Sequence, residues 1–334
     1  MLLKSVIVAL VGTLIISLCM PDAKLAKAAE ANRMLRLAGK RAVVVGGTSG
    51  IGHGIALRLA EAGCSVTIVG RSQDRGDAIV QEMKASAPAD SVAAFDFSQC
   101  DCFSLAAVKS CSEKLLSEGP LSGDAALDYL VESQGMATLQ GFTPTADGLD
   151  QKLTLHVFSR AAFALHLLPS LRRSEDGRML SVLSAGVHAS YGGWGTDPEL
   201  KGGAYGLKSS ADSAGFYNDI IVDSLSRENE DVTFMHAAPG FVKTRWGTEM
   251  PAVVRFLVRG LQTLGRSQEA CAEYMVHGLT APEHKGGFQL LDQFGKIRNY
   301  LSNARTWHSH HAALVRRRLS QSLAVGRRAS LATP

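Results

Sequence analysis

A chain of 334 residues, 46% of them hydrophobic, can bury one large α/β core or two small ones. Its formal charge is only +4, and much of the excess sits at Arg316, Arg317, Arg318, Arg327 and Arg328. That argues against a nucleic-acid footprint spread over the fold and fits a solvated basic tail. Six cysteines with no C-x-x-C pair argue against a disulfide framework and a zinc site, and fit reduced thiols facing the cytosol.

Residues 5–20, "SVIVALVGTLIISLCM", carry no charge and are followed by Pro21. With Met1–Leu3 they approach the about 20 residues that a membrane helix needs. Only Lys4 precedes the segment, whereas Lys24, Lys27, Arg33, Arg36, Lys40 and Arg41 follow it. This asymmetry predicts an anchor with the C-terminal part in the cytosol, preferred to a signal cleaved in the small-residue stretch after Pro21. The expected location is the endoplasmic reticulum membrane, with the secretory lumen as the alternative.

From Arg41 onward, β-rich runs alternate with stretches of helical spacing. The runs are 41–47, 65–72, 91–98, 127–135, 178–186, 232–240 and 286–295. Strand and helix in repeated alternation predict an α/β fold, a Rossmann-type doubly wound parallel sheet in a single domain. The expected organisation is an anchor or signal segment with a basic linker at 1–37, the α/β domain at 38–296, and a basic helix and tail at 297–334.

Gly46, Gly50 and Gly52 lie between the first strand and the helical stretch 51–63, spaced G-x-x-x-G-x-G. Glycines there allow a tight turn and let a pyrophosphate approach bare backbone, beside the N–H groups that open a helix. Gly46, Thr48, Ser49, Gly50, Ile51 and Gly52 are therefore the expected phosphate-binding residues. The second strand ends in Arg71-Ser72 with no acid before Asp74. An acid would bind ribose hydroxyls, whereas Arg71 and Ser72 suit a 2′-phosphate, so NADP(H) is preferred to NAD(H).

These motifs and those that follow resemble the short-chain dehydrogenase/reductase family over roughly residues 38–295. The glycine turn is similar to the family's T-G-x-x-x-G-x-G, with Val45 where Thr is usual. By the same resemblance Asp96-Phe97 contact the adenine, and Ser133-Gln134-Gly135 stand where the family carries N-A-G, which makes Gly135 a cofactor contact. His156 falls where a helix asparagine serves the proton relay, and Ser184 in the place of the catalytic serine. Pro239, Gly240, Val242 and Thr244 match the P-G-x-V-x-T loop that lies against the nicotinamide.

Moving a hydride between a carbinol carbon and nicotinamide also requires a proton to move at the oxygen. A phenol is a suitable acid/base once a nearby cation lowers its reference pKa of about 10. A serine hydroxyl can hold the substrate oxygen beside it. Tyr205 and Lys208 are the expected pair, although the family spacing is Y-x-x-x-K and Ser209 occupies the fourth position. Both +3 and +4 lie on the helix face of the starting residue, and the flexible lysine stem spans the offset. The expected catalytic set is Ser184, Tyr205, Lys208 and His156. Small residues in "SADSAGF" suit close packing of this helix on the sheet, and the long connection from Ser184 to Tyr205 is expected at the substrate rim.

The apolar stretch 244–265, with Trp246, Met250, Phe256 and Leu257, reads as a lid or a packing helix. Beside a membrane anchor it suggests a lipophilic carbonyl or alcohol as substrate. A cofactor-binding protein with little turnover, acting as a sensor or scaffold at a membrane, is the competing expectation. "WHSHH" at 307–311 has no neighbouring acid or cysteine and reads as a solvated helix end, so no metal is expected. No nucleic-acid partner is expected, and a homo-oligomer is compatible with all of these features.

Overall fold

In a computed structural model of the chain, residues 23–203, 205–243 and 265–298 are described. The expected anchor at 5–20, Thr244, the apolar stretch that follows it and the basic tail lie outside these residues. Among the described residues no helix is long and apolar enough to cross a membrane.

Seven strands form one parallel sheet: β1 (Arg41–Val45), β2 (Ser65–Gly70), β3 (Phe95–Gln99), β4 (Tyr129–Glu132), β5 (Gly177–Val182), β6 (Val232–Ala237) and β7 (Phe288–Leu291). Their order is β3-β2-β1-β4-β5-β6-β7. Every strand run read from the sequence is present, and every ladder is parallel. The helices are α1 (Ala23–Arg33), α2 (Gly50–Glu61), α3 (Gln73–Ser86), α4 (Leu105–Ser117), α5 (Gln151–Leu153), α6 (Ser159–Leu171), α7 (Leu207–Glu228) and α8 (Gln268–Thr280). A π-helical turn at Thr154–Phe158 joins α5 to α6.

Successive strand residues face opposite sides, and both sides are buried. Val43, Val45, Leu130, Met179 and Phe234 pack with Phe158, Phe163, Phe216 and Ile220 from the α4–α7 layer. Val44, Ile68, Val131, Leu180 and Met235 pack with Ile55, Leu59, Met83 and Met275 from α2, α3 and α8. A sheet covered this way is the doubly wound Rossmann type. Helix α1 adds to the second layer, where buried Asn32 donates to the Glu273 carbonyl at 2.8 Å.

At the amino edge, buried Asp128 ties elements together. It accepts from Lys40 Nζ at 2.9 Å, the Arg41 backbone N–H at 2.8 Å and Ser174 Oγ at 2.7 Å. Nearby, Arg178 donates to the carbonyls of Leu279 and Ala281, satisfying the last turn of α8.

At the opposite edge, the connections after β1 and β4 run to opposite faces of the sheet. A crevice opens there, outside the carboxyl ends of the strands. The loops after β2, β5 and β6 border the same edge, so the fold gathers the expected site segments before any side chain is considered.

Candidate active site

The turn from β1 into α2 passes very close to the end of β4. Gly46 has φ +79°, and a Cβ there would stand 2.6 Å from the Gln134 backbone nitrogen. Gly50 also has positive φ, at +61°, and a Cβ on Gly52 would overlap the Gly46 carbonyl oxygen. Gly46 needs glycine for space and conformation together, Gly50 for conformation and Gly52 for space. Ser49 precedes α2 in extended conformation but gives the helix no side-chain cap. The opening N–H groups of a twelve-residue helix thus remain available to an anion. Gly70 clears the path of Thr48, whose Oγ1 would lie 2.8 Å from a Cβ at that position.

At the end of β2 the exposed Arg71 guanidinium lies 5.2 Å from the Phe103 ring centre. Its backbone carbonyl accepts Gln99 Nε2 at 2.9 Å. Ser72 is occupied as the cap of α3, accepting the Arg75 N–H at 3.5 Å. Asp96 and Phe97 do not sit at the crevice, contrary to expectation. They lie inside β3, in register with Thr67 and Ile68, several residues short of the strand end. Phe97 packs on Gly76 of α3, and Asp96 faces solvent. The acidic residue just past the strand end is Asp101, two residues after Gln99; its carboxylate accepts the Phe103 N–H at 3.1 Å. The apolar stretch before Phe95 extended the expected strand to 91–98, whereas β3 itself begins at Phe95.

Ser133-Gln134-Gly135 follow β4 at the crevice, as expected. His156 lies beside Gly135, and its Nε2 accepts the Met136 backbone N–H at 2.9 Å. Burial, aided by the Arg160 and Lys152 charges, holds its pKa down to about 3. In this arrangement His156 is a neutral strut that fixes the loop after β4. The side-chain amide near this point comes from α7: Asn218 donates to the His156 carbonyl at 2.7 Å and accepts from Ser181 Oγ at 2.8 Å. The π-turn leaves that carbonyl free to be bonded, a feature with no one-dimensional signature.

Ser184 follows β5, its Oγ buried and without a hydrogen-bond partner among the described residues. Gly215 of α7 lies against it, and a Cβ there would run into both Ser184 Oγ and His188 Nδ1. The small residues 210–216 do pack on the sheet as expected, with Ser210, Ser213 and Ala214 buried.

Tyr205 and Lys208 do not form the expected pair in this arrangement. Tyr205 precedes α7, and its hydroxyl donates to Asp150 Oδ1 at 3.0 Å. Its ring meets Phe142 edge-on, with Lys152 Nζ 5.0 Å from its centre. Burial and the Asp150 carboxylate push the phenol pKa up, opposite to the lowering expected from a neighbouring cation. Lys208 is largely exposed and ion-pairs with Asp212, one turn along α7. The cause is local: the helix starts at Leu207, so Tyr205 and Lys208 do not share a helical face.

In the loop after β6, Gly240 has φ +73° and Val242 is buried, bridged to Arg266 in a parallel pair. Pro239 precedes them at the sheet edge; Thr244 and the apolar stretch expected as a lid or a packing helix lie outside the described residues. The five cysteines among the described residues are buried and free, in keeping with reduced thiols.

Three residues of this edge carried no motif. His188 sits in the loop after Ser184, Asp219 in the middle of α7 and His236 on β6. His236 Nδ1 lies 2.5 Å from Asp219 Oδ1, and His188 Nε2 lies 3.3 Å from Asp219 Oδ2. A carboxylate in a helix interior, three positions before "VDSL", was their faint signal, since a buried Asp requires partners.

A parallel sheet with a glycine turn, an uncapped helix start and an unpartnered hydroxyl at its carboxyl edge defines a nucleotide-binding α/β protein. A family profile described as short chain dehydrogenase matches residues 40–252, and the chain belongs to that family of oxidoreductases. Oxidoreductase AN1596 of Emericella nidulans is 29% identical over 216 residues, 64% of this chain and 62% of that protein. The chain therefore spans less than two thirds of that relative. Polyprenol dehydrogenase of Mus musculus is 29% identical over 283 residues, 80% of this chain and 82% of that protein. An alcohol dehydrogenase from Thermococcus sibiricus, solved in complex with 5-hydroxy-NADP, superposes with a TM-score of 0.55 at 20% identity. That match covers 78% of this chain and 99% of the other.

His156 and His236 are both held neutral, His236 chiefly by burial. In the unfolded chain each binds a proton below about pH 6.5. Between that pH and the depressed folded values, the unfolded state holds more protons, so stability falls as pH is lowered. Urea midpoints measured from pH 7 down to pH 4 are expected to decline, and less steeply in His156→Gln.

Proposed function

We propose that the protein is an NADP(H)-dependent oxidoreductase that interconverts a carbonyl and an alcohol on a lipophilic substrate. The observation that carries this reading is the glycine turn under the open start of α2, at the same sheet edge as the unpartnered Ser184 hydroxyl. Bound nicotinamide would supply or accept the hydride. The Gly46–Gly52 turn would take the pyrophosphate, and Arg71 the 2′-phosphate, as a planar donor fork suits. Pro239, Gly240 and Val242 would border the nicotinamide. Ser184 would hold the substrate oxygen, donating to the charge that develops there in reduction.

Tyr205 is the proton donor on this reading, acting when its phenol leaves Asp150 for the substrate oxygen. The lipophilic class is supported by exposed Val187 and Leu207 beside the Ser184 loop and at the start of α7. It is also supported by the substrate named in polyprenol dehydrogenase, and by the apolar N-terminal segment, which would anchor the chain to the endoplasmic reticulum membrane with the catalytic part in the cytosol. The NADP choice gains support from the ligand of the Thermococcus sibiricus structure. The engagement of Tyr205 with Asp150 and of Lys208 with Asp212 favours a second reading, in which the protein binds NADP(H) but turns over little.

Two variants test the reading. Arg71→Ala is expected to weaken NADPH by roughly 10- to 100-fold, as for a lost charged hydrogen bond of about 1.5–3 kcal/mol, with NADH little changed. Equal losses, measured by fluorescence titration, would remove the assignment. Tyr205→Phe is expected to lower NADPH oxidation with long-chain ketones by about 10²–10⁴-fold at unchanged NADPH affinity. Full activity in that variant would take the proton transfer away from Tyr205, and NADPH binding without turnover in the wild type would favour the second reading.

A further inference from the structure

Ser184 is gripped from two sides by histidines that share one carboxylate. Its backbone N–H donates to His236 Nε2 at 3.1 Å, and its carbonyl lies 3.0 Å from His188 Nδ1. The opposite ring nitrogens face the two oxygens of Asp219: His236 Nδ1 at 2.5 Å and His188 Nε2 at 3.3 Å. Asp219 and His236 are fully buried, and only 5% of the His188 side chain is exposed. The two rings stack at 24° with centres 6.4 Å apart.

The partners dictate the protons. His236 Nε2 accepts an N–H, so its only proton is on Nδ1, where it donates to Asp219: a neutral ring. His188 faces an acceptor at each nitrogen, a carbonyl oxygen at Nδ1 and a carboxylate oxygen at Nε2. A ring protonated on both nitrogens donates at Nδ1 and places a cation 3.3 Å from Asp219 Oδ2, an ion-pair contact without hydrogen-bond geometry. A neutral ring would leave two lone pairs facing each other there. Asp219 then holds one charge against one charge, as a buried carboxylate requires.

We propose that His188, Asp219 and His236 form a positioning clamp that fixes Ser184 and keeps a buried imidazolium beside it at neutral pH. On the functional reading above, on which this role rests, that cation supplies the positive field that Lys208 does not bring to the Ser184 site. Gly215 lets Ser184 Oγ and His188 Nδ1 share one groove of α7, so the charge lies next to the hydroxyl that would hold the substrate oxygen. Negative charge developing on that oxygen is stabilised without any group having to reorganise.

Charged groups of both signs surround the clamp. Asp212 of α7 also favours the charged form of His188. Arg298 approaches from beyond β7, donating to the Ala185 carbonyl at 3.1 Å, and Arg160 of α6 adds positive charge on the His236 side. Burial works against the imidazolium, but Asp219 outweighs it and raises the His188 pKa. The same two histidines hold the Asp219 pKa down to about 2 against burial. The clamp is therefore complete at neutral pH and is lost as pH rises through the raised value of His188.

The test uses the full chain labelled with 15N-histidine, without cofactor, and long-range 1H–15N spectra assigned with His188→Gln and His236→Gln. At pH 7.5, where an ordinary histidine is mostly neutral, His188 is expected to show both ring nitrogens protonated and His236 a single proton on Nδ1. Asp219→Asn is expected to return His188 to the neutral form at that pH. The same variant, and His188→Gln, should lower kcat for NADPH-dependent ketone reduction at least 10-fold with NADPH affinity unchanged, and abolish the alkaline decline of the wild-type profile. A neutral His188 in the folded wild type overturns the proposal, as does an Asp219→Asn spectrum in which His188 stays charged. If Asp219→Asn fails to fold, the wild-type spectrum and His188→Gln still decide. A charged His188 in a wild type that reduces no ketone would sustain the clamp and sink the oxidoreductase reading instead.

Discussion

The carboxyl edge of this protein depends on how closely two backbones pass between β1 and β4. The chain leaving β1 at Gly46 comes so near the chain leaving β4 at Ser133-Gln134 that any side chain at 46 would strike the Gln134 backbone. The same turn then folds back on itself, with Gly52 against the Gly46 carbonyl. That compaction aims the first turn of α2 across the crevice where the two halves of the sheet diverge. It leaves the N–H groups of α2 uncapped by side chains, a cost for a free helix end and an asset for one that receives an anion. Ser133 and Gly135, on the other lip of the crevice, are fixed by the same contact, and His156 braces that lip from behind.

The second half of the site is built on a different principle. Around β5 and β6 the interior is polar and partly charged, yet most groups have partners. Arg160 donates to Ser181 Oγ, the Val182 carbonyl and the Gln134 carbonyl, beside buried Glu132, whose two oxygens have no hydrogen-bond partner among the described residues. Burial raises the Glu132 pKa well above the ordinary carboxylate range, and Arg160 works against that rise. Asp219 with its two histidines repeats the pattern one strand further on. Such groups are costly when unpaired, so together they restrict the strand ends to one arrangement. Ser184 Oγ is a hydroxyl left open at the strand ends of that frame, among the described residues.

Much of the fold was legible in the sequence because parallel strands buried on both faces leave long apolar runs, and because glycine spacing marks a turn that needs bare backbone. All seven strands and the strand–turn–helix at Gly46–Gly52 follow from those two signals. The site was legible where a motif is a backbone requirement and less so where it is a side-chain role. The apolar stretch before β3 looked like strand, so Asp101, two residues beyond the end of β3, carried no signal of its own. His156 stands where it was expected, but burial keeps its ring neutral and it accepts the N–H of Met136, twenty residues away in sequence. Lys208 failed as a partner because helix α7 begins two residues after Tyr205, a boundary that spacing alone does not fix. The His188–Asp219–His236 group joins a loop, a helix and a strand, and only the fold brings it together.

The central claim is that the crevice between β1 and β4 holds a nicotinamide dinucleotide through the backbone of the glycine turn. The most direct measurement is a titration of the deuterated, 15N-labelled protein with NADPH, following backbone amides. Saturable shifts concentrated at residues 46–53 and 133–136, with the amides of the first turn of α2 moving downfield, are the predicted result. Saturable binding that leaves those amides unmoved, or no binding at millimolar NADPH, would contradict it.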